Sequence, residues 1–320
     1  MKFSIGLLFI TTSIFTPSLW AGVSDHSDRF SLTLLSQTQT TELEIVSKAT
    51  GKTIVFKPNN HSQVGLGVSA FGLGGAVFNS TAFTQEDIQQ KGKTKYEDFS
   101  GSLFLGNKDQ FLLAGYYNRF KGFYVENSQE VDTSLTAADP FIQNASLETF
   151  NWGATIYYVF SPDQLSLSAH LGQSAQQTSS DGSWFIRASY DGLKIKSKGA
   201  FIPTVAQTDY GTDALIEDGE FNTASFTLGY GHAWISGNWF FFIQVNLGTG
   251  SQFLKYTVAG DKKATTKQAF KGGSSLVGGY NGNDFYSGLK VDFDNTDLPL
   301  ETININTSRL LAQFFLGYRF

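Results

Sequence analysis

In the final eleven residues of the chain, every second side chain is apolar, and Gln, Gly and Arg occur only at positions in between. Since neighbouring side chains of a β-strand point to opposite faces, this alternation predicts a strand with one apolar face. A strand of a soluble β-sandwich can alternate in the same way. An apolar face that closes on an aromatic residue is more typical of the last strand of an outer-membrane β-barrel, where it resembles the signal that the barrel-assembly machinery binds. The apolar positions are Leu310, Ala312, Phe314, Leu316, Tyr318 and Phe320.

The first residues have the pattern of a secretory signal peptide. Lys2 precedes an apolar run over residues 3–15, and Ala21 supplies a small residue at a cleavage point before Gly22. The run is shorter than the roughly 20 residues that a membrane-spanning helix needs. We therefore expect residues 1–21 to be removed on export and residues 22–320 to form a single barrel domain in the outer membrane.

The composition narrows the classes of protein. The chain has no Cys, so disulfides cannot stabilise it after export. Thirty Phe, thirteen Tyr and thirty-three Gly stand beside only six Pro, which suits strands that alternate an apolar face with a polar one. The formal net charge of −5 argues against a nucleic-acid partner, because such a partner requires a basic surface.

Short turns alternate along the chain with longer, more polar connections. Gly, Asn, Asp and Pro give the six short turns the residues that tight hairpins require. Seven longer connections lie between and beside them, so the pattern predicts an all-β, antiparallel, up-and-down transmembrane barrel of fourteen strands, with twelve as the alternative. The turns are 71–74, 106–109, 161–163, 190–192, 235–238 and 281–284; the connections are 47–51, 83–93, 121–145, 173–182, 198–220, 259–267 and 294–302.

Within the predicted strands, apolar residues alternate with polar ones over about the length that crosses a bilayer. The clearest examples are 164–172, 224–231 and 239–248. In a membrane barrel the apolar set faces lipid and the polar set faces the lumen. Aromatic residues also lie beside predicted turns, where amphipathic rings would meet lipid headgroups. The predicted interface aromatics are Tyr158, Trp184, Tyr190, Trp234 and Trp239.

Several short Gly- and Tyr-rich motifs extend over nearly the whole mature chain. They are Lys57-Pro58-Asn59, 65–69, 176–185, Gly229-Tyr230-Gly231-His232, Gly248-Thr249-Gly250, Gly279-Tyr280-Asn281 and 317–320. With them the chain resembles an uncharacterised family of bacterial outer-membrane barrels, known only as a domain of unknown function. The resemblance implies a barrel and no known activity. The strand count is also similar to that of long-chain fatty-acid transporters, which are longer and carry an N-terminal plug.

A basic stretch offers candidates for a selective lumen. If Leu193 and Ile195 face lipid, then Lys194, Lys196 and Lys198 line the lumen together with Arg187. A basic stripe in a pore attracts anions. Alternatively, acids of the following connection fold inward and neutralise the stripe. Arg119, with Glu97 and Asp98, is a second lumen candidate, because buried charges need partners.

Catalytic and metal sites have little support in the sequence. His170 shares a predicted lumen face with Ser166 and Ser168, but no Gly-x-Ser-x-Gly elbow accompanies them. Acids at 292–297 offer oxygen ligands in a predicted external loop, without the spacing of a calcium-binding loop. We therefore expect no enzyme activity, no metal and no cofactor.

Three functions remain open, in this order. The first is a passive pore or transporter for small polar or amphipathic solutes, since a barrel of this width can enclose water. The second is a structural or assembly barrel whose connections 121–145 and 198–220 bind partners or seal the lumen. The third is a lipid-acting enzyme. The expected partners are outer-membrane lipid, lipopolysaccharide and the barrel-assembly machinery.

Overall fold

The computed structural model describes residues 22–59, 62–81 and 83–320. This part of the chain is nearly all β. Its strands are β1 (Val23–Asp25), β2 (Ser31–Ser47), β3 (Thr53–Lys57), β4 (Gln63–Ala70), β5 (Leu73–Ser80), β6 (Lys95–Leu105), β7 (Phe111–Val125), β8 (Gln143–Val159), β9 (Ala175–Gln177), β10 (Asp181–Lys196), β11 (Ile216–Ser236), β12 (Trp239–Val258), β13 (Asp261–Asn281), β14 (Phe285–Pro299) and β15 (Ile303–Arg319). The predicted signal peptide, residues 1–21, lies outside the described residues.

The helices are short. They are α1 (Gln85–Lys91) and α2 (Ser128–Val131), three 3₁₀ segments over Asn107–Asp109, Thr204–Asp209 and Gly211–Leu215, and a π-helical turn over Ser168–Gly172. None of the helices in the described ranges has the length and apolar character needed to cross a bilayer.

Twelve antiparallel strands close into a ring. Neighbours in sequence pair around it from β4 to β8 and from β10 to β15, while β8 pairs with β10 and β2 pairs with β4. The ring closes between β15 and β2, where Phe314 lies opposite Ser36. The predicted transmembrane barrel is therefore confirmed, with the lower of the two strand counts. The small strand β3 joins the ring at one rim, where it pairs with both β2 and β7.

Two segments account for the difference between fourteen strands and twelve. Residues 164–172 do not form a strand; they fold inside the barrel, where Leu165 and Leu167 are buried. The predicted turn at 190–192 lies within β10, and Tyr190 pairs with Ala154 on one side and Ala224 on the other. Asp191 points into the lumen, while Gly192 leaves space for Trp152, whose ring would stand 2.3 Å from a Cβ at that position.

We name the two ends of the barrel after the connections found there, the turn end and the loop end. At the turn end, short links join β4 to β5, β6 to β7, β11 to β12 and β13 to β14. The ends of β2 and β15 meet there too, where the Phe320 amide donates to the Phe30 carbonyl at 2.8 Å. At the loop end lie α1, α2 and the 3₁₀ segments after β10.

The outer wall carries a belt of exposed apolar side chains. On β15 the predicted face is correct: Leu310, Phe314, Tyr318 and Phe320 are all exposed. The alternation predicted for β11 and β12 is also correct, because their apolar sets point outward. Other members of the belt are Leu34, Leu66, Val77, Phe99, Leu228, Leu247, Phe270 and Leu289. This belt is what a barrel embedded in lipid requires.

The five predicted interface aromatics all point outward. Trp234 and Trp239 flank the hairpin at the turn end, and Trp239 is 64% exposed. Tyr190 packs against Trp152 with ring centroids 5.5 Å apart, opposite Ala224, which is twelve positions from Ser236 along β11. At the rise of a tilted strand, twelve positions span about 28 Å, near the height of the apolar band of such barrels.

Candidate functional site

A turn-end plug, residues 161–180, fills the turn end of the barrel. Leu165, Leu167 and Ala169 are almost completely buried. Leu165 and Leu167 belong to an apolar cluster with side chains that point inward from the wall. Members from the wall are Phe104, Leu112, Val159, Phe185, Phe240, Phe242, Val277, Tyr286 and Phe315. The apolar residues that the sequence assigned to the lipid face of a strand thus seal the lumen instead.

Arg319 fastens the turn-end plug to the barrel wall. Its side chain is fully buried, and a guanidinium has five N–H donors to satisfy. Nε and Nη2 donate to the Gln173 carbonyl at 3.0 and 2.6 Å, and Nη2 also donates to Asn281 Oδ1 at 2.6 Å. Nη1 donates to the carbonyls of Gly282 and Asn283 at 2.5 and 3.1 Å. All five donors therefore have acceptors, and none is a carboxylate.

His170 lies in this plug and lines the lumen from within, although it does not sit on a strand. Its ring stacks on Phe242, with centroids 4.8 Å apart and an interplanar angle of 8°. Nε2 contacts Gln177 Oε1 at 3.0 Å. Ser166 and Ser168, the predicted neighbours, bond to each other at 3.0 Å between their hydroxyl oxygens. The contacts of His170 are thus those of a packed core residue.

A loop-end plug, residues 198–215, fills the opposite end of the barrel. Phe201, Ile202 and Tyr210 are nearly fully buried. They pack against inward-facing apolar residues of the extended strands and the neighbouring loops. Those residues include Leu43, Ile45, Ile54, Phe56, Phe120, Ile195, Ile216, Phe221, Leu254, Leu298 and Ile305. One of the two connections predicted as possible seals therefore does close the lumen.

A polar latch holds the loop-end plug to the β14–β15 connection. Asp213 is fully buried, and its Oδ2 accepts a bond of 2.6 Å from the Thr302 amide. The Thr302 hydroxyl accepts from the Asp213 amide and donates to the Tyr210 carbonyl, at 3.1 and 2.8 Å. Lys263 Nζ lies 3.3 Å from Asp213 Oδ1 and 2.6 Å from Glu301. These contacts satisfy a buried carboxylate that would otherwise be costly.

Between the two apolar clusters, the lumen holds a cavity of about 470 Å³ with both apolar and charged residues in its lining. Its charged lining consists of four acids and four bases, so the formal charges cancel. The acids are Asp98, Asp191, Asp292 and Asp294, and the bases are Arg187, Lys271, Lys290 and Arg309. Apolar groups of both plug clusters border the cavity as well, among them Phe104, Leu112 and Phe221.

Each acid of the cavity has a partner on the wall. Asp191 accepts from Tyr116 at 3.2 Å and from Ser189 at 2.8 Å. Asp292 accepts from Ser275 at 2.6 Å and pairs with Lys290 at 2.9 Å. The other two acids are also paired: Asp98 accepts from Tyr96 and Gln37 at 2.5 and 3.1 Å, and Asp294 lies 3.9 Å from Lys271.

The predicted basic stripe of the lumen is wrong, because its lysines point to the opposite face of β10. In β10 the even-numbered residues point outward, as Trp184 and Tyr190 do, so Lys194 and Lys196 also lie on the outer wall, opposite Glu220 and Asp218. Leu193 and Ile195 point inward and pack on the loop-end cluster. The expected phase depended on a turn at 190–192; because the strand continues, its alternation continues too. Lys198 is exposed beyond the strand, and of the predicted stripe only Arg187 reaches the cavity.

The predicted lumen network around Arg119 is also wrong in place. Arg119 pairs with Glu97 at 3.2 Å and with Glu148, but these side chains lie on the outer wall near the loop end. Asp98, which follows Glu97 in β6, points into the cavity instead. The acids at 292–297 do not form an external loop: all three lie in β14, and Asp292 and Asp294 face the lumen. Within the described ranges, no three His, Asp or Glu side chains are grouped so as to hold a metal ion.

The sequence analysis did not single out three residues that face the inside of the barrel: Asp191, Arg309 and Arg319. Two of them carried a usable signal, since Arg309 and Arg319 occupy the lumen phase of the last strand, opposite to its apolar face. The apolar pair Phe201-Ile202 inside an otherwise polar connection also indicated burial. Asp191 looked like an ordinary turn acid, whereas Asp213 belongs to the connection whose acids were expected, as the alternative, to fold inward.

Three of the solved structures that resemble this chain are outer-membrane proteins. The outer membrane protease OmpT from Escherichia coli is 7% identical, with 93% of this chain and 98% of that chain covered and a TM-score of 0.42. The COG4313 outer membrane channel from Pseudomonas putida F1 is 9% identical, with 92% of this chain and 96% of that chain covered and a TM-score of 0.36. The P. putida toluene transporter TodX is 10% identical, with 92% of this chain and 90% of that chain covered and a TM-score of 0.29.

Comparison with curated protein sequences finds no match. A family model does match, over residues 23–320, and it is described as Domain of unknown function (DUF4421). The matched range takes in every strand of the ring and both plugs. The chain therefore belongs to the DUF4421 family.

Proposed function

We propose that this protein is an outer-membrane transporter for small polar or amphipathic solutes that holds its solute in the central cavity. A cleaved signal peptide would deliver it to the envelope. The observation that carries the proposal is the cavity of about 470 Å³ between two separate plugs. A volume of this size matches small-molecule sites, which combine apolar walls with a few polar groups.

The two plugs argue against a permanently open pore and in favour of passage by steps. A solute enters the cavity when one plug moves, and the other plug keeps the barrel closed. The loop-end plug is a single segment between β10 and β11, and two glycines with left-handed backbone lie in it: Gly199 at φ 83° and Gly211 at φ 65°. Such positions can act as hinges, because glycine adopts this conformation without strain.

The loop-end plug is the better candidate for the moving part. Its attachment relies on the latch of Asp213, Thr302 and Lys263, and Lys263 is partly exposed to water. The turn-end plug is anchored by the completely satisfied guanidinium of Arg319. Opening it would break five hydrogen bonds of one buried cation, whereas the latch includes the ammonium of Lys263, which water already reaches.

The experiment uses the absence of Cys from the sequence. In the variant Asp213→Cys/Thr302→Cys each new thiol replaces a side chain that bonds the backbone amide of the other residue, and the sequence has no native thiol to compete. We expect the refolded variant to conduct in planar bilayers under reducing conditions and to be silent when oxidised. The matched control Asp218→Asn removes an acid at the barrel's outer rim, where it accepts from Thr257, and leaves the latch intact. Silence of the reduced variant contradicts the proposal.

A sealed structural or assembly barrel is the second candidate. The observation that favours it is the completeness of the turn-end plug, in which Arg319 has all five donors satisfied. Under this alternative, opening the latch disturbs the loop end only. The reduced double-Cys variant would then stay silent while it remains folded, and the turn-end plug would keep its resistance to proteases.

A further inference from the structure

The donors and acceptors of the central cavity are not balanced, although its charges are. The carboxylates all have partners on the wall. Two guanidiniums do not: within the described residues, neither Arg187 nor Arg309 makes a hydrogen bond, and no carboxylate lies within ion-pair distance of either. Their Nε atoms are buried and have no acceptor. Buried donors without acceptors are costly and are normally satisfied in a native protein.

The two guanidiniums converge on the same part of the wall. Arg309 is opposite Asp294 in the β14–β15 ladder, and Asp294 is opposite Gly273 in the next one. Arg187 reaches this row from β10, and its Nη1 lies 3.8 Å from the place of a Cβ on Gly273. Both guanidiniums line the same cavity.

Aromatic rings fix both arginines from behind. The Arg187 guanidinium carbon lies 5.7 Å from the ring centroid of Tyr157, and that of Arg309 lies 5.5 Å from the centroid of Tyr116. A ring face attracts the cation, but it does not accept hydrogen bonds from the N–H groups, which lie in the plane of the guanidinium. The rings thus orient the two arginines and leave their in-plane donors directed at the cavity.

We propose that the cavity binds a small organic solute through a carboxylate held between Arg187 and Arg309. A guanidinium matches a carboxylate with two parallel hydrogen bonds, and charge-assisted bonds of this kind are the strongest that a side chain makes. The apolar residues that border the cavity, such as Leu112 and Phe315, would contact the rest of the solute. The inference rests on the proposed transport function and names the class of its solute.

The test compares two probes that differ only in the recognised group. Benzoate carries a carboxylate, and benzamide has nearly the same shape without the charge. The full-length mature chain is refolded in detergent with each probe, and binding is measured by ligand-observed saturation-transfer NMR and by titration calorimetry. We expect benzoate to bind at least ten-fold more tightly than benzamide, because loss of one charge-assisted pair costs about that factor or more.

Variants assign the effect to the two arginines. Arg187→Gln and Arg309→Gln should each reduce benzoate affinity about ten-fold or more and leave benzamide unchanged. Arg119→Gln is the matched control, since Arg119 lies on the outer wall. Heat-modifiable migration on gels shows that each variant is folded; if Arg187→Gln does not fold, Arg187→Lys tests the same point, because an ammonium cannot make the paired bonds.

The outcomes separate this inference from the proposed function. Equal binding of both probes, or benzoate binding that survives both substitutions, overturns the inference. Absence of benzoate binding overturns it as well. If the reduced Asp213→Cys/Thr302→Cys variant nevertheless conducts, the transporter stands and only the solute class is wrong. If that variant is silent too, both proposals fail.

Discussion

Arg319 and Gln173 lie 146 positions apart in the sequence, and the Gln173 carbonyl accepts two hydrogen bonds from the Arg319 guanidinium, at 3.0 and 2.6 Å. This relationship joins the last strand of the barrel to the segment that closes its lumen. The strand that carries the predicted insertion face toward lipid therefore also carries, on its other face, the anchor of a plug.

Replacing this anchor should loosen the turn-end plug. Arg319→Met keeps much of the side-chain volume but leaves the carbonyls of Gln173 and Gly282 without donors. We expect the free energy of unfolding to fall by about 2–4 kcal/mol, seen as a lower temperature for the shift in gel migration. Arg119→Met, on the outer wall, should cost about 1 kcal/mol or less. Equal effects of the two variants would show that the anchor does not hold the plug.

The loop-end plug should weaken at alkaline pH. Burial, followed by the charge of Asp209, raises the pKa of Tyr210 to about 12, above the ordinary value near 10. The folded plug therefore favours the neutral phenol, and this contribution to stability is complete below pH ~10 and is lost as the pH rises toward the raised pKa. Proteolysis of the 198–215 segment, measured from pH 9 to 11.5, should accelerate. In Tyr210→Phe this pH-dependent acceleration of proteolysis should be absent. An identical pH profile for both proteins would contradict the attribution to Tyr210.

The strand that continues through Asp191 and Gly192 predicts a steric effect. A Cβ on Gly192 would meet the Trp152 indole at 2.3 Å, so Gly192→Ala must displace a large ring on the outer wall. We expect a loss of about 1–3 kcal/mol in unfolding free energy, measured by urea titration in detergent. Gly75→Ala is the control, because its nearest neighbour would be 3.7 Å away. If 190–192 were a turn, Gly192→Ala would be the milder change.

The phase of β10 predicts which charges affect ion selectivity. In the reduced Asp213→Cys/Thr302→Cys barrel, neutralising both outer-wall lysines with Lys194→Gln/Lys196→Gln should leave the reversal potential in a salt gradient unchanged. Asp292→Asn should shift it toward anion preference, because Asp292 lines the cavity. A shift caused by the lysine variant would place those side chains in the permeation path after all.

The exposed end of β15 predicts a role in assembly. Phe320 is 65% exposed and its ring lies 5.0 Å from that of Tyr318, so little of it stabilises the folded barrel. Phe320→Ser should therefore leave the unfolding temperature nearly unchanged and slow insertion by the barrel-assembly machinery, measured by protease protection in reconstituted vesicles. Leu215→Ser, an exposed apolar residue of the loop-end plug, is the control. Unchanged insertion would contradict the role of this residue in the signal.

The alternation of side chains along the chain is enough to predict the outer wall of the barrel. Alternation along a strand depends only on the backbone pleat, so Leu310 to Phe320, Trp239 to Leu247 and Ala224 to Trp234 could be assigned to the lipid face without knowing any partner strand. The same rule assigned Arg187 to the lumen. It failed for Lys194 and Lys196 only because Asp191-Gly192 has the composition of a turn, and the alternation was restarted there.

What fills the lumen depends on contacts between segments that are far apart in the sequence. Leu165, Leu167, Ala169 and Leu171 alternate as a lipid-facing strand would, and nothing local distinguishes apolar residues that meet lipid from apolar residues that meet the inside of a barrel. The choice depends on whether the inward faces of distant strands are apolar at that height, as Phe104, Phe185 and Phe242 are. The convergence of Arg187 and Arg309 likewise requires the closed ring, because the register of separate hairpins brings them to one row.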